Sequence, residues 1–270
     1  MTEQHASPPK GLIGRFLALP VDSTPKTLFV AVALCLVASM VVSAAAVNLR
    51  PLQAENALRN RQINILQVAG LYERGQDVRA AFSAFEAGVL DLDTGRLTDR
   101  FDAATFDDRA AARDPALSVA LADDPASIIR QARFVTVYLL RDEAGAVQRV
   151  VLPIHGYGLW STLYGYVALE ADGNTIYGLQ FYQHAETPGL GGEVDNPRWR
   201  AQWAGKLAYD TAGEAAITVA RPGTASDPAH HIDAISGATL TMRGVETLVR
   251  FWLGERGYAP FLAHVRAGDI

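Results

Sequence analysis

The chain has 270 residues, of which 49% are hydrophobic and 20% charged, enough apolar material for a sizeable core and for a membrane segment besides. A formal net charge of -5 at pH 7, without any long run of Lys or Arg, argues against nucleic acid as a partner. The single cysteine, Cys35, excludes an internal disulfide framework and any cluster held by several cysteines of this chain, and it reads as a small apolar helix residue.

The first predicted element of length is a membrane helix. From Thr27 to Val47 no residue is charged, Lys26 and Arg50 bound the run, and its length matches the roughly 20 residues that span a bilayer core. Thr24 suits its N-cap and Pro25 its first turn, while Pro51 supplies a stop or a kink. Ala44, Ala45 and Ala46 would suit a signal-peptide cleavage site, but the apolar run is too long and begins too late for one, so the helix is expected to stay as an anchor. Lys10, Arg15 and Lys26 before it balance Arg50, Arg59 and Arg61 after it, so charge alone leaves the topology open. No later stretch is long enough to span, and residues from about 52 onward are expected to form a water-soluble domain.

Beyond Pro51, Leu58, Ile65, Leu66 and Val68 recur among polar residues and predict a helix leaving the membrane. Residues 81–97 predict a short helix and a strand pair around Asp93-Thr94-Gly95. Residues 99–131, rich in Asp, Ala and Arg and carrying Pro115 and Pro125, are expected to form a loop-rich, partly helical insertion. The β-rich runs 133–140 and 146–154 flank Asp142-Glu143-Ala144-Gly145, and the runs 163–170 and 175–183 flank Ala171-Asp172-Gly173-Asn174. Two hairpins in one antiparallel sheet follow. Asn196-Pro197 opens a predicted helix to Lys206 with Trp199 and Trp203 on one face as core residues. Residues 214–223 predict a further strand, and residues 240–258 an amphipathic C-terminal helix. Strands and helices that are grouped rather than alternating define an α+β class with a mainly antiparallel sheet. The expected organisation is an N-terminal segment over 1–25, a transmembrane helix over 26–49, a helical and loop-rich connecting region over 50–130 and a soluble binding domain over 131–270.

Three stretches carry chemistry. Asp233-Ala234-Ile235-Ser236-Gly237-Ala238-Thr239 is a loop with a flexible glycine that leads into the last helix, whose first backbone N–H groups favour an anion such as phosphate. A hydroxyl there is placed for a phosphoester; the plainer alternative is that Ser236 or Thr239 only caps the helix. In the stretch from His184 to Glu193, Pro188 fixes a turn while Gly189, Gly191 and Gly192 allow a planar ligand to approach the backbone. His184 and Glu186 by themselves are too few for a zinc site, and no metal is expected. Gly156-Tyr157-Gly158-Leu159-Trp160-Ser161 is another glycine-bearing turn, for which a structural and a ligand role stand equal.

The segment Asp233–Thr239 resembles the flavinylation motif Asp-x-x-Ser/Thr-Gly-Ala-Thr, in which a transferase joins FMN to the final threonine through a phosphoester. Residues 156–170, 184–206 and 233–239 also stand in the order seen in the C-subunit family of the sodium-pumping NADH:quinone oxidoreductases. The apolar run with residues 49–53, and residues 64–72, look like that family's anchor and following helix. The resemblance covers most of the chain, with 1–25 and 99–131 the least distinctive. It implies covalent FMN on Thr239, an isoalloxazine lined by Glu186, Thr187, Leu190 and Gly191, and Asp233, Ser236, Gly237 and Ala238 as the rest of the motif, Asp233 being read by the FAD-dependent FMN transferase. It further implies an electron-relay subunit in the bacterial inner membrane, with a single pass, its N-terminus in the cytoplasm and its FMN-binding domain, residues 131–270, in the periplasm. The implied partners are the other subunits of the complex, the transferase and membrane lipid. A site of its own for oxidising NADH is not expected, since no Gly-x-Gly-x-x-Gly opens a βαβ unit. Two alternatives stand beside this: the G subunit of the related Rnf electron transport complex, which shares the turn and the flavinylation motif, and a membrane-tethered flavin-binding sensor.

Overall fold

The computed structural model describes residues 11–20, 23–224 and 226–270, so Lys10 and much of the expected 1–25 segment lie outside the described residues. Two compact units, Met1–Leu58 and Arg59–Ile270, divide the chain.

In the first unit a short helix, α1 (Leu12–Leu17), precedes α2 (Thr24–Val68), and the Phe16 and Phe29 rings meet edge-on at 4.8 Å. Among the described residues α2 is the one helix long and apolar enough to cross a membrane, and none of its apolar window is buried inside the protein. Leu28, Val37, Val42 and Val47 are all exposed, as a lipid-facing helix requires and a core helix does not. The stop considered at Pro51 does not occur, for Pro51 lies inside α2. A proline there removes one backbone hydrogen bond, but the helix formers that follow, from Gln53 to Arg59, carry the helix onward.

The second unit begins on the last turns of α2, where Ile65, Leu66, Val68 and Ala69 are buried. After α3 (Val78–Phe82), capped by the Asp77 carboxylate, come β1 (Phe85–Asp91) and β2 (Arg96–Thr98), the strand pair expected around Asp93-Thr94-Gly95. The insertion holds α4 (Asp108–Arg113) and a small hairpin of β3 (Ser118–Ala120) and β4 (Arg130–Ala132). The two expected hairpins are β5 (Phe134–Arg141) with β6 (Val147–Tyr157), and β7 (Thr162–Glu170) with β8 (Ile176–Gln183). All pairings in the resulting six-stranded sheet, of order β2-β1-β5-β6-β7-β8, are antiparallel. Residues 85–98, from the expected connecting region, thus complete one edge of the sheet.

Both faces of the sheet are covered, so its central strands read as continuous apolar runs. One face presents Val137, Leu139, Val150, Leu152 and Val167 to the C-terminal helices α6 (Thr239–Leu253) and α7 (Ala259–Ala267). The other presents Tyr138, Leu140, Val151, Tyr166 and Ala168 to Ile65, Leu66 and Val68 of α2. The predicted helix from Asn196 forms as α5 (Pro197–Arg200) and one 3-10 turn, with Trp199 and Trp203 buried as expected. The strand expected over 214–223 shortens to β9 (Thr218–Ala220), which pairs in parallel with β10 (His231–Asp233) outside the main sheet. The C-terminal helix ends earlier than expected, at Leu253, and the chain turns through Gly254–Gly257 to start α7, which the sequence did not disclose.

Candidate functional site

The loop between β10 and α6 is held from below. Trp199 Nε1 donates to the Asp233 carbonyl (2.9 Å), the Asp233 N–H donates to Gln202 Oε1 (2.8 Å), and the Asp233 carboxylate lies 3.1 Å from His231 Nε2. Gly237 then turns the chain with φ +77°, a value that suits glycine. Ala238 occupies the N-cap of α6, no side chain caps that terminus, and no acidic residue stands in its first turn. The capping role open to Ser236 or Thr239 is therefore not taken by either. Ser236, Gly237, Thr239 and Leu240 are exposed, and the first N–H groups of this 15-residue helix stand beside the Thr239 hydroxyl. Thr241 is different: it is 1% exposed and its hydroxyl donates to Glu186 Oε2 at 2.7 Å.

Glu186 joins the three predicted stretches. Its Oε1 accepts the N–H groups of Leu159 (3.0 Å), Trp160 (3.0 Å) and Ser161 (3.3 Å), while Oε2 accepts from Thr241. Burial pushes the Glu186 pKa up, but the N–H of Trp160, the Thr241 hydroxyl and the N–H groups of Leu159 and Ser161 outweigh it and hold the carboxyl below its usual range. Two glycines make room. A Cβ on Gly158 would fall 2.6 Å from Glu186 Oε1, and one on Gly191 would fall 2.5 Å from Thr241 Oγ1 and 2.8 Å from Glu186 Oε2. The Thr187 carbonyl closes the turn by accepting the N–H groups of Leu190 (3.1 Å) and Gly192 (2.9 Å). Leu190 lies against Gly237, where a Cβ would be 3.0 Å from its Cδ2. Leu190, Trp160 and Leu240 are left 43%, 65% and 54% exposed on the segments thus gathered.

The structure therefore brings Glu186, Thr187, Leu190 and Gly191 next to Ser236, Gly237, Ala238 and Thr239, with Asp233 fixing the strand from which that loop departs. Glu186 and Gly191 are buried, whereas Thr187 and Leu190 face solvent. His184 does not pair with Glu186 around a shared ligand. Its Nδ1 accepts the Glu186 N–H (3.2 Å) and its Nε2 faces Asp195 (3.0 Å). Sequence reasoning singled out the 156–161 turn without deciding its role, and did not foresee that its N–H groups and the Thr241 hydroxyl meet on Glu186. The signal for the turn was its pair of glycines, Gly156 and Gly158, and for Thr241 its place two residues after Thr239.

An uncapped helix terminus carrying an exposed hydroxyl, faced by a glycine-rich turn on an antiparallel sheet, suits a phosphate-bearing ligand, and the FMN-binding domain model matches residues 158–254, which makes the second unit a flavin-nucleotide-binding domain. A relative from Pseudomonas aeruginosa, the C subunit of its Na(+)-translocating NADH-quinone reductase, is 49% identical over 92% of this chain and 98% of its own length. That of Yersinia pestis is 47% identical over 92% and 96%. The crystal structure of Shewanella oneidensis NqrC superposes with a TM-score of 0.73 at 36% identity, covering 78% of this chain and 99% of that one. The corresponding C-subunit structure from Parabacteroides distasonis gives 0.64 at 27% identity, covering 79% and 96%. The chain belongs to the C-subunit family of the Na(+)-translocating NADH-quinone reductases, which are multi-subunit oxidoreductases, and it is a membrane-associated flavoprotein subunit.

Proposed function

We propose that this subunit bears FMN covalently on Thr239 through a phosphoester and relays electrons between redox centres of neighbouring subunits. The observation that carries the proposal is the α6 N-terminus: its N–H groups lack a side-chain cap, and the Thr239 hydroxyl beside them is exposed. Such a terminus stabilises phosphate through unpaired N–H donors and the helix dipole. Gly237 and Ala238 present no functional side chain that would compete for those donors, and Ser236 stays outside the first turn. Glu186 fixes α6 against the turn of Thr187, Leu190 and Gly191, which supplies an apolar neighbour for a flat ring. Asp233 is the motif residue offered to an FAD-dependent FMN transferase. FMN bound there would supply one- and two-electron transfer, for which the protein provides attachment, orientation and electrostatics. In this proposal the span within α2 anchors the subunit in the bacterial inner membrane, residues 1–25 lie in the cytoplasm, and the FMN-binding domain lies in the periplasm.

Coexpression with the transferase tests the attachment. Thr239→Val keeps a β-branched side chain and removes the nucleophilic oxygen, so the expected outcome is a folded protein without in-gel flavin fluorescence after denaturation. Ser236→Ala and Thr241→Val should retain covalent flavin, Thr241 because its hydroxyl is buried against Glu186. Persistent covalent fluorescence in Thr239→Val, or an FMN adduct mapped by peptide mass spectrometry to another residue, would overturn the assignment.

A further inference from the structure

A second cavity, of about 670 Å³, opens between α4, residues 127–130 and the sheet, and none of Glu186, Thr187, Leu190, Ser236 or Thr239 lines it. Its size falls within the range of small-molecule sites. The inner wall is aromatic: His155 and Tyr164 stack at 5.5 Å, the Arg109 guanidinium lies 3.6 Å from the Tyr164 ring centre, and Trp252 and Tyr182 complete it. Three cations line the cavity. Arg109 and Arg113 stand one turn apart on α4, and Arg130 starts β4.

None of the three has a carboxylate within 4.0 Å among the described residues. Arg113 uses only its Nε, donating to the Arg109 carbonyl (3.1 Å). Arg130 uses Nε and one terminal nitrogen, both on Ser118, and Arg109 donates to Tyr182 Oη and Gln183 Oε1. Each guanidinium has five N–H donors, so several remain available. The one carboxylate in the lining, Asp108, is turned away to the N–H and hydroxyl of Thr136. His155 adds no charge near neutrality, since burial and Arg109 pull its pKa down to about 4. The rim is held in a strained form: Ser127 and Ile129 have φ of +53° and +67°, and both oxygens of Asp124 grip the N–H groups of Ile128 and Ile129. A β-branched residue in that region is uncommon and persists only where its surroundings enforce it.

We propose that this cavity binds a small planar organic anion, its ring lying along the Arg109 guanidinium that covers Tyr164 and against Tyr182, and its acidic group on Arg113 and Arg130. The aromatic wall selects a flat apolar body, and cations without carboxylate partners select a negative head that can take charge-assisted, bidentate hydrogen bonds. The proposal is independent of the flavin attachment, because no residue of the Asp233–Thr239 loop is involved.

Calorimetric titration of the flavin-loaded full chain in nonionic detergent with 1-naphthoate tests it, against a detergent blank and the neutral isostere 1-naphthalenemethanol. The expected result is saturable one-to-one binding of naphthoate, with the alcohol weaker by about tenfold or more. The Arg113→Gln/Arg130→Gln protein should lose affinity for naphthoate by a similar factor. Because Arg130 also anchors Ser118, Arg113→Gln alone is measured alongside; its exposed side chain has one internal bond, and it should weaken binding while leaving the melting temperature unchanged. Absence of saturable naphthoate binding, equal affinity for the alcohol, or unchanged affinity in Arg113→Gln would overturn the proposal.

Discussion

Glu186 was legible in the sequence as a member of a glycine-rich turn and, by resemblance, as a flavin-lining residue, but its role as a clamp was not, and its bonds explain why. Its four donors come from residues 159–161 and from Thr241, which lie 25 to 27 positions before it and 55 after it, so the contact exists only once the sheet and α6 are assembled. Glu186→Ala leaves three half-buried backbone N–H groups and one buried hydroxyl without their partner, and should cost about 2 kcal/mol in urea unfolding. Glu186→Gln can keep the geometry, its oxygen taking the three N–H groups and its amide donating to Thr241, so at pH 7 it should cost about 1 kcal/mol or less. The pH dependence separates the two forms. The folded-state pKa of Glu186 is depressed, so its contribution is present above the unfolded value of about 4.3 and is lost as pH falls through the folded value. Urea titrations between pH 7 and pH 3 should show a smaller acid loss in Glu186→Gln than in the parent; equal losses would count against the clamp.

At the scale of elements, α6 lies unusually close to β6. A Cβ on Gly244 would fall 2.4 Å from the Tyr157 carbonyl oxygen, and a Cβ on Gly156 would fall 2.5 Å from the Leu248 Cβ. Gly244 thus permits helix and strand backbones to approach without an intervening side chain, and this approach seats the start of α6, through Thr241 and Glu186, beside the 156–161 turn. Alanine gains about 1 kcal/mol over glycine in a helix interior. Gly244→Ala should nevertheless lower stability by about 1–3 kcal/mol, since the obstructing atom is backbone and cannot rotate aside. A drop in melting temperature checks this, and an unchanged or raised one would show that α6 can shift at no cost. The hairpins β5–β6 and β7–β8 were readable because turn residues separate the β-rich runs of each pair. By contrast, β9 finds a parallel partner 13 residues later, with the Val219 N–H donating to Glu246 Oε2, and no periodicity announces a contact of that kind. The break between α6 and α7 was readable in principle from Gly254 and Gly257, but the apolar spacing runs on across it.

For the whole molecule, two buried groups that line the same cavity contribute to stability in mild acid with opposite signs. Burial lifts Asp108 from 3.8 to about 6, so its contribution is full below the ordinary carboxylate value and is lost as pH rises through about 6. Burial and Arg109 lower His155 from 6.5 to about 4, so its contribution is full above 6.5 and is lost as pH falls toward 4. Each shift corresponds to about 3 kcal/mol at most, and between pH 6 and pH 4 the two act in opposite directions. Asp108→Asn can still accept from Thr136 and removes one of them, so on acidification its unfolding free energy should fall more steeply than the parent's over that interval. Parallel curves would mean that Asp108 titrates as an ordinary carboxyl. Most of the architecture was legible from the sequence: the apolar helix from its uncharged length, the sheet from its turns, and the loop before α6 from its glycine. The cavity beside α4 was not, because it is formed by the insertion of residues 99–131, whose Asp, Ala and Arg composition carries no period.

The grip of residues 159–161 on Glu186 has a consequence for selectivity. Three consecutive N–H groups converging on one point would themselves attract any phosphate or nucleotide drifting over this surface. The chain fills that trap with its own carboxylate, so an anion arriving over this face meets the uncapped start of α6 and gains nothing from the neighbouring turn.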